Sequence, residues 1–178
     1  MNAKWFGDSY DIVKRFFLDI AKAQGYSVQV DPMFTGDWND SSRAAFLIFV
    51  DFGQPLDASA KRAALFVDPD TGIGKRSSPK HTTIAAVALQ AKKYDLVIIF
   101  DQAFSWSIPV VNELQRKLLE LRGLGVHAFY YDSHARFLFC SRRLESLESF
   151  HQVLLDVGLP SARLIWANPV VGTGGAEA

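Results

Sequence analysis

Five apolar runs in this chain end on an aspartate: YSVQV before Asp31, FLIFV before Asp51, ALFV before Asp68, LVIIF before Asp101 and AFYY before Asp132. Ligands of open, mostly parallel sheets bind in the crevice beyond the carboxyl ends of the strands. Carboxylates repeated at strand ends can therefore converge on one site, as metal ligands or as proton acceptors. The richest of these ends is ALFVDPDTGIGKRSSPKHTT, residues 64–83. A strand, a polar loop and then a helix would aim backbone N–H groups and a helix dipole at an anion. Gly72 and Gly74 would let the backbone approach closely. Lys75, Arg76, Lys80 and His81 would supply positive or hydrogen-bonding groups, and Asp68 and Asp70 the acid. Acid and base in one loop suit a metal with a phosphate, or a phosphate-bearing substrate beside a positioned carboxylate. The loop is not a P-loop, because GxxxxGK[ST] would need glycine at Pro69 and Ser or Thr at Arg76.

The other strand ends carry less. Asp101 is followed by QAFSWS, where Phe104 and Trp106 could stack a planar group or cap the core. Asp132 and His134 fall in a hairpin turn, a place where turn chemistry alone accounts for aspartate. The loop from Asp31 to Arg43 could complete a site from the first strand, or fold Met33, Phe34 and Trp38 onto the core. His127 and His151 lack ligand spacing. CxxC, HExxH and GxSxG are absent from the sequence, so structural zinc, zincin and α/β-hydrolase chemistry lack support.

The elements that would position these residues alternate along the chain. Asp8 predicts a helix cap, with Asp11 in the first turn and Gly25 after the last. Ile12, Val13, Phe16, Phe17 and Ile20 form its expected apolar stripe, flanked by Lys14, Arg15, Asp19 and Lys22. Residues 26–31 read as a strand and 32–43 as a polar loop. The continuous apolar runs 44–50 and 63–67 read as strands covered on both faces. Ser78 and Pro79 predict the start of a helix, followed by a strand at 95–100 and a helix at about 108–122. VHAFYY and RFLFC predict an antiparallel hairpin. A helix over about 143–157 and a short strand at 162–166 follow. Strands alternating with helices predict a three-layer, Rossmann-like α/β fold, its sheet mostly parallel with a C-terminal antiparallel hairpin. One domain is expected over residues 1–168, with a flexible Gly-rich tail at 169–178.

Composition sets the bounds. The 178 residues suffice for one buried core, and 19 basic residues balance 19 acidic ones, so no global field argues for a nucleic-acid partner. No glutamate precedes Glu113, so all the acid before it is aspartate. The single Cys140 lies in an apolar strand-like run and reads as a buried thiol in a reducing compartment. The N-terminus lacks a signal-peptide layout and no run reaches the roughly 20 apolar residues of a membrane span. A soluble, cytoplasmic protein with no membrane partner is expected.

With those motifs in view, residues 63–166 resemble the back half of a class I (Rossmann-like) S-adenosylmethionine-dependent methyltransferase. VDPDTG stands at a strand end, followed by helix, strand, helix and an antiparallel strand pair. Asp68 and Pro69 match the first two positions of the DPPY-type motif, whose acid or amide holds the target amine in nucleic-acid-modifying members; Asp70 and Thr71 differ from the rest. The family's glycine-rich first loop would correspond to VDPMFTGDWN, with Asp31 and a lone Gly36. The resemblance implies a nucleic acid or nucleotide partner and S-adenosylmethionine as cofactor. Asp68 would orient substrate, Gly72–Lys75 and Arg76 would hold phosphate, and Asp31 or Asp101 would complete the crevice. Through FGDSYDIVKRFF, LFVDPDTGI and PKH the whole chain also resembles a bacterial protein family of unknown activity.

Two further readings stand beside it. A magnesium-dependent phosphodiesterase or nuclease would use Asp68, Asp70 and Asp101 as metal ligands and Lys75 on phosphate. A topoisomerase–primase version would need an upstream glutamate, which the chain lacks. The alternative outside enzymology is a non-catalytic α/β binding module.

Overall fold

The computed structural model describes residues 2–50, 62–104 and 107–168. A 3-10 turn at Ala3–Trp5 leads into α1 (Ser9–Ala23), which Asp8 caps by accepting hydrogen bonds from the Tyr10 and Asp11 N–H groups. The buried face of α1 is rotated from the expected stripe. Ile12 and Phe16 are exposed, whereas Asp11, Lys14, Phe17, Leu18 and Ala21 are buried. Strand β1 (Tyr26–Asp31) follows.

The run 44–50, expected as a strand, is helical instead: α2 spans Asp40–Phe49. Asn39 caps it through a hydrogen bond accepted from Ser42 N–H, and Phe46 and Val50, one turn apart, bury the face that holds it. A short apolar run does not by itself distinguish a buried strand from one helical face, and here a capping signal in the preceding polar loop decides. Asp51, expected at the end of that run, lies outside the described residues.

Then come β2 (Arg62–Val67) and the two-residue strands β3 (Gly72–Ile73) and β4 (His81–Thr82), which pair with each other in parallel. The helix expected from Pro79 starts later, as α3 (Ile84–Gln90). The Ser78 side chain instead closes a turn by accepting from Lys80 and His81 N–H, and Thr83 takes over as cap. The remaining elements fall near their expected places: β5 (Leu96–Phe100), α4 (Val110–Gly123), β6 (His127–Tyr131), β7 (Phe137–Ser141), α5 (Leu144–Asp156) and β8 (Leu164–Trp166). Residues 169–178 are outside the described set. No described helix is long and apolar enough to cross a membrane.

The result is a mixed α/β fold with a six-stranded sheet ordered β1-β2-β5-β7-β6-β8. β1, β2 and β5 pair in parallel, and β7 runs against both β5 and β6, as the expected hairpin requires. Four strands thus share one direction, with β7 and β8 opposed. Alternate residues of the central strands feed two apolar clusters: Ala64, Phe66 and Ile98 join residues of α1, α2 and α5, while Leu65, Val67 and Ile99 join residues of α3 and α4. Cys140 is a buried free thiol of the second cluster, and burial pushes its pKa well up. The shared direction brings Asp31, Asp68, Asp101 and Asp132 to one rim of the sheet.

Gly72 is pinned against that rim. Its φ is +110°, and a Cβ there would stand 2.2 Å from Asp101 Oδ1 and 2.7 Å from the Gln102 backbone nitrogen. Gly125 also has a positive φ, +72°, but a Cβ there would meet nothing within 4 Å. Gly125→Ala should cost only the conformational penalty of about 1–2 kcal/mol. Gly72→Ala should add overpacking of about 1–3 kcal/mol to that. Urea unfolding of the two variants measures the difference, and equal losses would mean that the Gly72–Asp101 contact is not tight.

Candidate functional site

Asp68 and Asp101 follow neighbouring parallel strands, and each is met by a lysine from a helix. Lys117 of α4 places Nζ 2.7 Å from Asp101 Oδ2, both side chains being wholly buried. Asp101 is fully served: Oδ2 also accepts from Tyr130 O–H at 2.8 Å, and Oδ1 accepts from the N–H groups of Ile73 and Ala103. Burial first, then the adjacent Asp101 carboxylate, raise the Tyr130 pKa well above its ordinary value, so this phenol stays a donor. Phe104 covers the set, with Lys117 Nζ 4.3 Å and the Arg136 guanidinium 4.9 Å from its ring centroid. This is a closed structural anchor.

The pair on α1 is different. Lys14 Nζ lies 2.8 Å from Asp11 Oδ1, 2.9 Å from Asp68 Oδ2 and 4.6 Å from the centre of the Phe100 ring. Asp11 is satisfied, because its Oδ2 accepts the Gly7 N–H at 2.7 Å. Asp68 is not. It is 0% exposed, Oδ2 touches Lys14 outside hydrogen-bond geometry, and neither oxygen receives a hydrogen bond. A buried acceptor without a donor costs about 1–3 kcal/mol. Native proteins keep few such groups, and each calls for an explanation such as strain, a catalytic role or a bound water or ion.

Above Asp68 a cleft of about 600 Å³ opens at the rim of the sheet, within the size range of small-ligand sites. Trp5, Tyr10 and Phe100 supply aromatic walls; Asp8, Asp11 and Asp70 line it with Lys14; Asn2, Thr71 and Gln102 add neutral polar groups. Asp68 lies under its floor and shows no surface to solvent, so a ligand group reaches the carboxyl only when a lining side chain moves aside, and must be desolvated as well. Burial raises the Asp68 pKa, and the opposing pull of Lys14 does not cancel it. For Lys14 burial works downward, but the carboxylates of Asp68 and Asp11 outweigh it and hold its pKa above the ordinary value.

Of the residues expected from sequence, Asp68 and Asp70 meet in the cleft with Pro69 and Thr71. Much of the backbone expected to meet phosphate is engaged within the protein. The N–H groups of Thr71 and Gly74 are bonded to Lys80 O and Thr82 O, and that of Ile73 to Asp101. Gly72 does allow a close approach, but to Asp101, and Gly74 packs on the His81 ring. Lys75, Arg76 and Lys80 are exposed and do not line the cleft, and His81 is turned to Thr71 Oγ1 at 2.5 Å. Asp31 is exposed at the end of β1 with its Oδ1 near Met33 N–H.

The metal set Asp68, Asp70 and Asp101 does not assemble, since Asp101 is sealed around Lys117. Among the described residues no three His, Cys, Asp or Glu side chains are grouped to hold a metal. Where a cation would bridge Asp11 and Asp68, the Lys14 ammonium already sits. The loop after β1, set beside the family's glycine-rich loop on sequence, turns its aromatic side chains toward the core. Phe34 and Trp38 pack together at 4.6 Å and against Phe46, and Gly36 lies against Asn2. Asp132 pairs with Arg136 at 2.8 Å across the β6–β7 turn. Trp106 lies outside the described residues.

Sequence reasoning missed Lys14, Asp11, Tyr10, Trp5 and Asn2. The signal for the first two was present: Asp11, Lys14, Leu18 and Ala21 fall at spacings of three and four, one face of a helix. Reading Lys14 as a solvated flank hid it. Compared with protein-family models, curated proteins and solved structures, the chain matches none of them.

The raised Asp68 pKa has a definite sign in folding. Between the ordinary value of 3.8 and its higher folded value, the native state binds more protons than the unfolded chain. This group should therefore make stability fall as pH rises through that window. Asp68→Asn should flatten that fall, measured as urea midpoints across mildly acidic to neutral pH. An unchanged slope would show that Asp68 titrates normally.

Proposed function

We propose that the chain is a small enzyme acting on a nucleobase-bearing ligand, with Asp68 accepting a hydrogen bond from the base's amino group and serving as its proton acceptor. The carrying observation is the buried Asp68 carboxyl without a donor under the floor of an aromatic-walled cleft. Trp5, Tyr10 and Phe100 suit a planar ring, since stacking is tolerant of base identity. A carboxyl with a raised pKa beside a buried lysine is suited to general acid–base work. The Asp68-Pro69 pair at a strand end, shared with the DPPY-type motif, supports the same role. The two apolar clusters, fed by α1, α2 and α5 on one hand and α3 and α4 on the other, support a three-layer, Rossmann-like architecture. Among the described residues no three metal-ligating side chains are grouped, and no step is routed through magnesium or S-adenosylmethionine.

Calorimetric titration with adenosine and with purine riboside, which lacks only the amine, tests this reading. Adenosine should bind, purine riboside at least about ten-fold more weakly, because a site built to pair a polar group rejects the analogue without it. Asp68→Ala should erase the difference. Equal binding of the two, or no binding of either together with none of cytidine, would refute the proposal.

A further inference from the structure

We infer that the cleft takes its ligand as a nucleoside or free base and discriminates against phosphorylated forms. The inference rests on the nucleobase reading and narrows it. Two features of this rim would ordinarily cradle phosphate, the N-terminus of a long helix and a glycine-bearing loop after a strand. Both are largely engaged from within. At the start of α1, the Asp8 carboxylate accepts from Tyr10 and Asp11 N–H, the Asp11 carboxylate accepts from Gly7 N–H, and Ile12 N–H is bonded to Asp8 O. The helix end therefore already faces two carboxylates of its own. In the loop, the N–H groups of Thr71, Ile73 and Gly74 all have protein acceptors.

Side-chain charge points the same way. Among the described residues that line the cleft, four are aspartates, Asp8, Asp11, Asp68 and Asp70, and one, Lys14, is a cation. That ammonium is shared between Asp11 and Asp68 at 2.8 and 2.9 Å. Even with Asp68 protonated, carboxylates outnumber the cation. The cations that could have answered a phosphate, Lys75, Arg76 and Lys80, are exposed and do not line the cleft. A dianionic phosphate brought here would meet like charge in a partly desolvated site, which is the arrangement that selects against a ligand. A neutral base with an amino group meets aromatic walls and an acceptor in want of a donor.

The test compares adenosine and cytidine with their monophosphates by calorimetry, in the wild type, Asp70→Asn and Asp68→Ala. At least one nucleoside should bind, and its monophosphate should bind roughly ten-fold or more weakly. Asp70→Asn should narrow that gap by lowering the repulsion. Monophosphates binding as tightly as nucleosides, with the Asp68 dependence intact, would overturn this inference and leave the nucleobase reading standing. A gap unaltered by Asp70→Asn would also overturn it, since charge would not be the cause. Silence to nucleosides and monophosphates alike would overturn both.

Discussion

The C-terminal rim of the sheet depends on how two aspartates are neutralised where neighbouring parallel strands end. Removing a carboxylate from water costs several kcal/mol even after relaxation, and one ammonium repays it only when the remaining lone pairs are also satisfied. Asp101 meets that condition with four donors: Lys117, Tyr130 and the N–H groups of Ile73 and Ala103. Among the described residues Asp68 has one cation at contact, Lys14 at 2.9 Å, and it receives no hydrogen bond. The same type of pairing thus gives an anchor at one strand end and an incomplete acceptor at the next.

The anchor explains much of the local fold. Because Asp101 binds Ile73 N–H, the chain after β2 must turn back across the end of β5, and only a residue without a Cβ fits at Gly72. That leaves Asp68, Pro69, Asp70 and Thr71 facing the start of α1, where Tyr10, Asp11 and Lys14 await them. The loop's glycines therefore serve packing against the protein. The cleft is a consequence of where the anchor holds the chain, and the buried Asp68 carboxyl, which receives no hydrogen bond, is what gives it chemical character.

Much of this was legible in the sequence, and the failures have physical causes. The strand-end aspartates, the cap at Asp8 and the closing hairpin announce themselves through local signals. The run at 44–50 misled because apolarity alone does not fix a period, and Asn39 and Asp40 carried the deciding cap. Ser78 and Pro79 looked like a helix start but close a turn, since the pairing of Gly72 with His81 holds the chain extended until Thr83. Charge misled most. Lys75, Arg76 and Lys80 look like a phosphate site by proximity in sequence, yet the lysine that matters is Lys14, some fifty residues before Asp68 and brought to it by tertiary packing. Long-range pairing of this kind has no local signature.

The central claim is that Asp68 is a buried, ligand-directed carboxyl. Carbon-13 NMR of aspartate side-chain carboxyls, with the Asp68 signal assigned from Asp68→Asn, reads it directly. The account predicts that this signal titrates above the ordinary aspartate value and shifts when adenosine is added. A carboxyl that titrates at the ordinary value and ignores adenosine would contradict it.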